Sequence, residues 1–119
     1  MAEGNNNLDK QVEGLFNKAK NQLESKMRVE TVPEKSPLEV RVFGEGSSYT
    51  VLVKSIASVV VGQNKGGTVV YQGNVNSAKV AVGLGDRFSA YLQHEKEHPC
   101  SVDLTYLPED AKRKMGIIK

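Results

Sequence analysis

Cysteine, tryptophan and long apolar runs are scarce or missing in this sequence of 119 residues. Cys100 is the only cysteine, so no disulfide can form within the chain. We therefore expect a reducing compartment, the cytoplasm, with the nucleus as the alternative. Because no apolar run approaches the roughly 18 residues that cross a bilayer, we also expect no membrane partner.

Surplus charge is small as well. The formal net charge is +2 and the sequence pI is about 8.7, although charged residues make up 25% of the chain. This balance permits nucleic-acid binding but does not demand it, because strongly electrostatic binders carry a larger basic surplus.

Residues 1–37 are predicted to form an amphipathic helix and a linker, the latter marked by Pro33 and Pro37. The apolar residues of the helix recur at spacings of three and four, at Leu8, Val12, Leu15, Phe16, Ala19 and Leu23. This apolar stripe needs a partner, which is either the core of the domain or a second chain. An alternating pattern over 27–31 also allows a short edge strand.

Residues 38–107 are predicted to form the compact domain. Alternation at Leu38, Val40 and Val42 indicates a first strand. A first helix is expected to start at Ser47 or Ser48, from apolar positions at helical spacing: Tyr49, Leu52, Val53, Ile56, Ala57 and Val60. Gly62 would end this helix, and 64–67 would form a turn.

A second strand is expected over 68–71, and a second helix beginning at Asn74 or Asn76. The helix has one apolar face, formed by Ala78, Ala81, Leu84 or Gly85, Phe88 and Leu92. A third strand is expected over 101–106. Residues 108–119 form a basic C-terminal segment with one short helix after Pro108. The predicted class is mixed α/β: a small sheet, two helices packed on one of its faces, and an additional N-terminal helix.

This order of strand, helix, strand, helix and strand resembles the Alba superfamily of small nucleic-acid-binding proteins. The match rests on the helix starting near Ser48, on Gly73 directly after the second strand, and on the spacing of the third strand. The resemblance implies dimerisation, with itself or with an Alba-like partner. It also implies nucleic-acid binding, and the mild charge and the polar, non-basic loops of this chain favour RNA over DNA. If the short protozoan members are the right relatives, it implies a role in messenger-RNA stability or translational control.

Two departures from the family pattern reduce the expected phosphate contacts. The family commonly has lysines in the turn after the first strand, where this chain has none over 44–48. A basic residue often follows the conserved glycine, whereas Asn74 follows Gly73 here.

Phosphate contact at two helix starts is the leading functional hypothesis. Free backbone N–H groups at a helix N-terminus favour anions, and adjacent glycines permit close approach. The residues expected to take part are Gly46, Ser47, Ser48, Gly73, Asn74 and Asn76.

Positive charge and base stacking would add to these contacts. The candidate cations are Lys54, Lys79, Lys112, Arg113 and Lys114, although the last three are equally explained as complements to a helix C-terminus. Phe43 points away from the apolar side of the first strand and is the best candidate for stacking on a base.

Enzymatic interpretations have little support. His94, His98 and Cys100 lack a second ligand group for a metal, and no positioned base is evident for Cys100 as a nucleophile. We expect no catalytic site, no metal and no cofactor. The main alternative is a protein-interaction or assembly subunit with weak or no nucleic-acid binding. Gly83, Gly85 and the N-terminal helix are the candidate contact surfaces between chains.

Overall fold

The structure is a computed structural model that describes residues 2–56 and 68–114, with side chains for 8–56 and 68–113. Those residues form α1 (Ala2–Val29), β1 (Leu38–Glu45), β2 (Ser48–Ser55), β3 (Thr68–Val75), α2 (Ala78–His94), β4 (Cys100–Asp103) and α3 (Glu109–Lys114). The predicted mixed α/β class, with helices packed against a small sheet, is confirmed.

The four strands lie in the order β3-β2-β1-β4. β1 to β3 form an antiparallel meander, and β4 pairs parallel to β1 at the opposite edge from β3. α2 therefore crosses one face of the sheet on its way from β3 to β4. Because β1 and β3 run in the same direction, both finish at the same end of the sheet.

The segment predicted as the first helix is a strand, so that prediction is wrong over Ser48–Ser55. The segment fits two patterns. Tyr49, Leu52 and Val53 have helical spacing, whereas Tyr49, Val51 and Val53 alternate as in a strand, and the structure buries this second set. The strand prevails because every residue of β2 pairs with one in β1. Its β-branched residues also suit a pleated, half-buried surface. Ile56, also placed in that predicted helix, is not helical, and the remainder from residue 57, with its closing turn, lies outside the described residues.

The boundaries of other helices and strands also differ from the predicted ones. β3 continues to Val75, so α2 begins at Ala78 and not at Asn74 or Asn76. Residues 27–29 are helical and form no edge strand. The sheet has four strands where the sequence predicted three, because β2 replaces the predicted first helix. β4 ends at Asp103, before the predicted limit, while the short C-terminal helix is confirmed as α3.

These differences bear on the Alba resemblance. One of its three supporting features, a helix starting near Ser48, is replaced by a strand. Membership of that superfamily stays a prediction, and its supporting pattern is reduced to the second strand, the helix after it and the last strand.

The apolar stripe of α1 packs into the same core as the sheet. Phe16 contacts Phe88 and Tyr91 edge to face, with ring centroids 5.5 and 5.3 Å apart. Val12 lies against Gly83, and Lys96 pairs with Glu24 at 3.6 Å, so α1 and α2 run parallel. The partner of the α1 stripe is thus the domain core, and both helices cover one face of the sheet.

Gly83 and Gly85 serve contacts within the chain, so their predicted role as a surface between chains is wrong. A Cβ on Gly83 would lie 3.0 Å from Val12 Cγ2, and one on Gly85 would lie 2.9 Å from Val42 Cγ2. The absent side chains let α2 approach α1 on one side and β1 on the other. Their cost in helix propensity is offset by this close packing.

Gly85→Ala is expected to lower the free energy of unfolding by about 1–3 kcal/mol, because the added methyl group overpacks a fully buried contact with β1. Gly14→Ala is the matched control. Gly14 lies in α1, and a Cβ added there would meet no atom within 4 Å. Alanine at this position is therefore expected to raise the free energy of unfolding by about 0.5–1 kcal/mol. Urea unfolding of both variants tests this. Equal stability of the two variants would contradict the close approach of α2 to β1.

Candidate nucleic-acid interface

The end of the sheet where β1 and β3 finish is called the hairpin end; it comprises 45–48, 74–79 and α3. Gly46 and Ser47 connect the paired residues Glu45 and Ser48 in a two-residue turn. Gly46 has φ +66°, while Ser47 keeps a negative φ, which matches a type II′ hairpin turn with glycine first. Glycine is therefore explained here by turn geometry.

α2 begins beside this turn. Ser77 is its N-cap, with a side-chain oxygen that accepts a hydrogen bond from the Val80 amide at 3.5 Å. The Ala81 amide donates to the Ser77 carbonyl at 2.9 Å. The amides of Ala78 and Lys79 precede the first intrahelical bond and are free to bind another acceptor. The first turn of α2 contains no acidic residue, so its positive end is not neutralised from within the helix.

A groove of about 430 Å³ lies between α1, the hairpin turn and the start of α2. Its polar lining consists of Gln11, Ser47, Ser48, Asn74 and Asn76, and the other lining residues are apolar. Every lining side chain is uncharged, and we call this feature the neutral groove. Hydroxyl and amide groups of this kind can donate hydrogen bonds to phosphate or to a ribose hydroxyl.

A second cavity, of about 580 Å³, lies on the other side of the α2 start. Its charged lining residues are Lys79, Glu45 and Asp110, so carboxylates outnumber the cation. Ala78 and Lys79 line this cavity, so a phosphate at the free amides of α2 would lie beside these carboxylates, whereas the neutral groove reaches α2 at Val80 and carries no opposing charge.

Six of the predicted site residues meet at the hairpin end: Gly46, Ser47, Ser48, Asn74, Asn76 and Lys79. They surround one helix start, not the two that the sequence predicted, because Ser47 and Ser48 belong to a hairpin. Asn74 carries a further detail. Its Oδ1 accepts a hydrogen bond from Thr50 Oγ1 at 2.9 Å, and because Thr50 alternates with the buried Tyr49 and Val51, this bond holds the Asn74 side chain on the face of the sheet away from the two helices.

Gly73 does not leave room for a ligand, because another side chain fills the space that its own side chain would occupy. A Cβ there would collide with the Tyr71 hydroxyl. Tyr71 also packs against Phe88, with ring centroids 4.9 Å apart, and burial raises the pKa of its phenol. Gly73 is thus explained by the space that Tyr71 occupies.

The predicted cations are mostly dispersed or internally paired. Lys54 lies on the face of the sheet away from α1 and α2, in register with Glu39. Lys112 donates to the Thr105 carbonyl at 3.4 Å. Arg113 pairs with Glu109 and Asp110 at 3.7 and 3.9 Å, which fits the interpretation that it stabilises its own helix. The Lys114 side chain is outside the described residues.

The face of the sheet opposite the two helices is called the outer face, and Phe43 lies there, half-buried. Beside it, Arg41 forms ion pairs with Glu39 at 3.1 Å and Asp103 at 3.6 Å. The hydrogen bond to Glu39 raises the pKa of Arg41. The Arg41 guanidinium also lies 5.2 Å from the centroid of the Tyr106 ring.

Sequence reasoning missed Gln11 of the neutral groove, the Ser77 cap, and the pairing of Arg41 with Tyr106. Ser77 stands three residues before Val80 at the start of an apolar helical face, a signal that could have identified the cap. Arg41 and Tyr106 are far apart in sequence, and only the parallel pairing of β1 with β4 brings them together.

Groups with catalytic potential are few in the described part of the chain. Burial raises the pKa of the Cys100 thiol, which disfavours the reactive thiolate. Within residues 2–56 and 68–114, no three His, Cys, Asp or Glu side chains are placed to hold a metal ion. Among the helices of those residues, none combines the length and the apolar character needed to cross a bilayer.

No family model, curated protein or solved structure matches this chain.

Ser77→Ala is expected to lower the free energy of unfolding by about 0.5–1 kcal/mol, since the Val80 amide loses its capping acceptor. Asn76→Ala, one residue earlier and exposed, should change it by less than about 0.5 kcal/mol. Thermal unfolding of the two variants side by side provides the measurement. A larger effect at Asn76 would place the start of α2 earlier than Ala78.

Proposed function

We propose that this protein binds RNA through sugar–phosphate contacts at the hairpin end. One observation carries the proposal: polar residues from the hairpin turn, the end of β3 and α1 line one neutral groove, which reaches α2 at Val80. Hydroxyl and amide groups of this kind can donate hydrogen bonds to phosphate oxygens and to the sugar.

The chemistry of the groove favours RNA over DNA. Gln11 and Asn76 have amides that can both donate and accept, and Ser47 and Ser48 have hydroxyls with the same property. The ribose 2′-hydroxyl is likewise a donor and an acceptor, and it is the group that distinguishes RNA from DNA at a contact. DNA would lose that partner and leave a groove amide with one bond fewer.

The absence of charge in the groove predicts the salt dependence. Each phosphate neutralised by a lysine or arginine releases counterions, so affinity falls steeply with salt where many cations bind. With a net charge of +2 and no charged residue in the groove, we expect a shallow dependence. The affinity should be moderate, because hydrogen bonds replace most ion pairs.

The cellular role follows from the family resemblance alone. Messenger-RNA stability or translational control, in the cytoplasm or the nucleus, stays a prediction. Dimerisation with a second copy or an Alba-like partner is proposed on the same basis, and it would place two hairpin ends in one particle.

A second candidate function, a protein-interaction or assembly subunit, is favoured by a different observation. Glu45 and Asp110 place two carboxylates beside Lys79 in the cavity next to the α2 start, which opposes a phosphate there. The same cavity would accept a basic side chain from a partner protein. The two functions differ in whether RNA binds at low salt.

Ser47→Glu is expected to weaken RNA binding roughly 5- to 30-fold, since a carboxylate in the neutral groove repels phosphate by about 1–2 kcal/mol. Ser47→Gln is the matched control, because it has nearly the same size and no charge, and it should bind within about twofold of the original chain. Filter binding of single-stranded RNA, duplex RNA and DNA of one sequence, at two salt concentrations, measures both variants.

Two outcomes would contradict the proposal. Equal RNA affinity of the Glu and Gln variants would show that phosphate does not approach the neutral groove. No RNA binding by the original chain at low salt would exclude the function and favour the assembly subunit.

A further inference from the structure

The outer face carries a slot of about 370 Å³, lined by Arg41, Phe43, Gly44, Glu45 and Tyr106. α1 and α2 both pack on the opposite face of the sheet. Over the described part of the chain, the slot is open to solvent. Tyr106 is 60% exposed, so its ring is accessible to a ligand.

Tyr106 is held in place by Arg41. The guanidinium lies 5.2 Å from the ring centroid and is itself held by Glu39 and Asp103 on either side. Two carboxylates neutralise the Arg41 charge, so Arg41 offers a flat surface more than a free cation. Ring and guanidinium together form a preorganised stacking surface, and little side-chain entropy is lost when a planar ligand binds.

Phe43 provides a second ring. It is two residues along β1 from Arg41, which places the two side chains on the same face about 6.6 Å apart along the strand. Gly44 lies between Phe43 and the turn with φ +138°. A Cβ there would overlap the Ser48 carbonyl and lie 2.6 Å from Tyr49 Cα. Glycine is therefore required here by the close approach of β2.

The rim of the slot selects for N–H donors. Glu45 is exposed at the end of β1, and its carboxylate accepts hydrogen bonds only. A phosphate would be repelled by Glu45 and would find Arg41 already paired. A flat heterocycle with amino or imino groups at its edge complements both the ring surfaces and the carboxylate, and nucleobases have these properties.

We propose that the outer-face slot binds an unpaired nucleobase, stacked between Phe43 and the Tyr106–Arg41 pair, so that the preferred ligand is single-stranded RNA. This inference rests on the proposed function. Glu45 lines the slot and Ser47 lines the neutral groove, with only Gly46 between them in the chain, so the two features lie at the same end of the sheet. A duplex would keep its bases stacked inside and would not fill the slot.

The test uses the full chain and three probes of equal length: single-stranded RNA of mixed sequence, an abasic ribose–phosphate strand, and duplex RNA. Phe43→Leu and Tyr106→Leu remove a ring and keep apolar volume, while Tyr106→Phe keeps the ring. Each Leu variant is expected to lose roughly 5- to 100-fold in affinity for the single strand. Tyr106→Phe should stay within about twofold, and affinity for the abasic strand should not change.

The outcomes separate the two proposals. If the original chain binds the abasic strand and the Leu variants retain full affinity for the single strand, the slot proposal fails and the proposed function stands. If the original chain binds none of the probes, both fail. Sedimentation without RNA measures the oligomeric state of each variant. If the original chain is a dimer and a Leu variant is a monomer, the slot is a contact between copies, and the proposed base site is overturned. Circular dichroism of each variant verifies that it is folded.

Discussion

Burial of one face of the β1–β2–β3 meander is the constraint on which the rest of this structure depends. Val40, Val42, Val51 and Val53 have no exposed surface, and α1 and α2 cover them as a parallel pair. Because side chains alternate along a strand, burying this set forces its neighbours onto the opposite face. The outer-face positions of Arg41, Phe43 and Lys54 follow directly.

The same packing determines what meets at the hairpin end. Gly83 lets α1 lie close to α2, so the N-terminal half of α1 runs beside the start of α2. Gln11 thereby reaches the groove next to Ser48 and Asn76. The loops over 30–37 and 94–99 lie at the other end of the sheet, where charged side chains pair with each other, as Lys35 does with Glu97 at 3.2 Å. The two ends therefore differ in chemistry, because the neutral groove lies at the hairpin end and, among the described residues, has no counterpart beside the paired charges of the other end.

Local patterns predicted the parts of the fold that one segment decides by itself. The stripe of α1, from Val12 to Leu23, and the apolar face of α2, from Ala81 to Leu92, matched the helical period and are buried as expected. β2 was missed because its apolar residues satisfy two periods at once. Pairing with β1 and β3 decides between the two periods, and that pairing is not local. Ser47 and Ser48 were predicted to cap a helix and instead belong to the β1–β2 hairpin, and the cap of α2 is Ser77 in place of Asn74 or Asn76. Arg41 and Tyr106 could not be predicted as neighbours, since only the pairing of β4 with β1 brings Asp103 and Tyr106 near Arg41.

The most direct test of RNA binding at the hairpin end is a titration of the ¹⁵N-labelled chain with single-stranded RNA, followed by its amide resonances. The account predicts that the largest shift changes fall on the amides of 46–48 and 74–79, including Ala78 and Lys79, while 30–37 and 94–99 stay unchanged. Changes concentrated at 30–37 and 94–99, or hairpin amides that do not respond while other amides do, would contradict it.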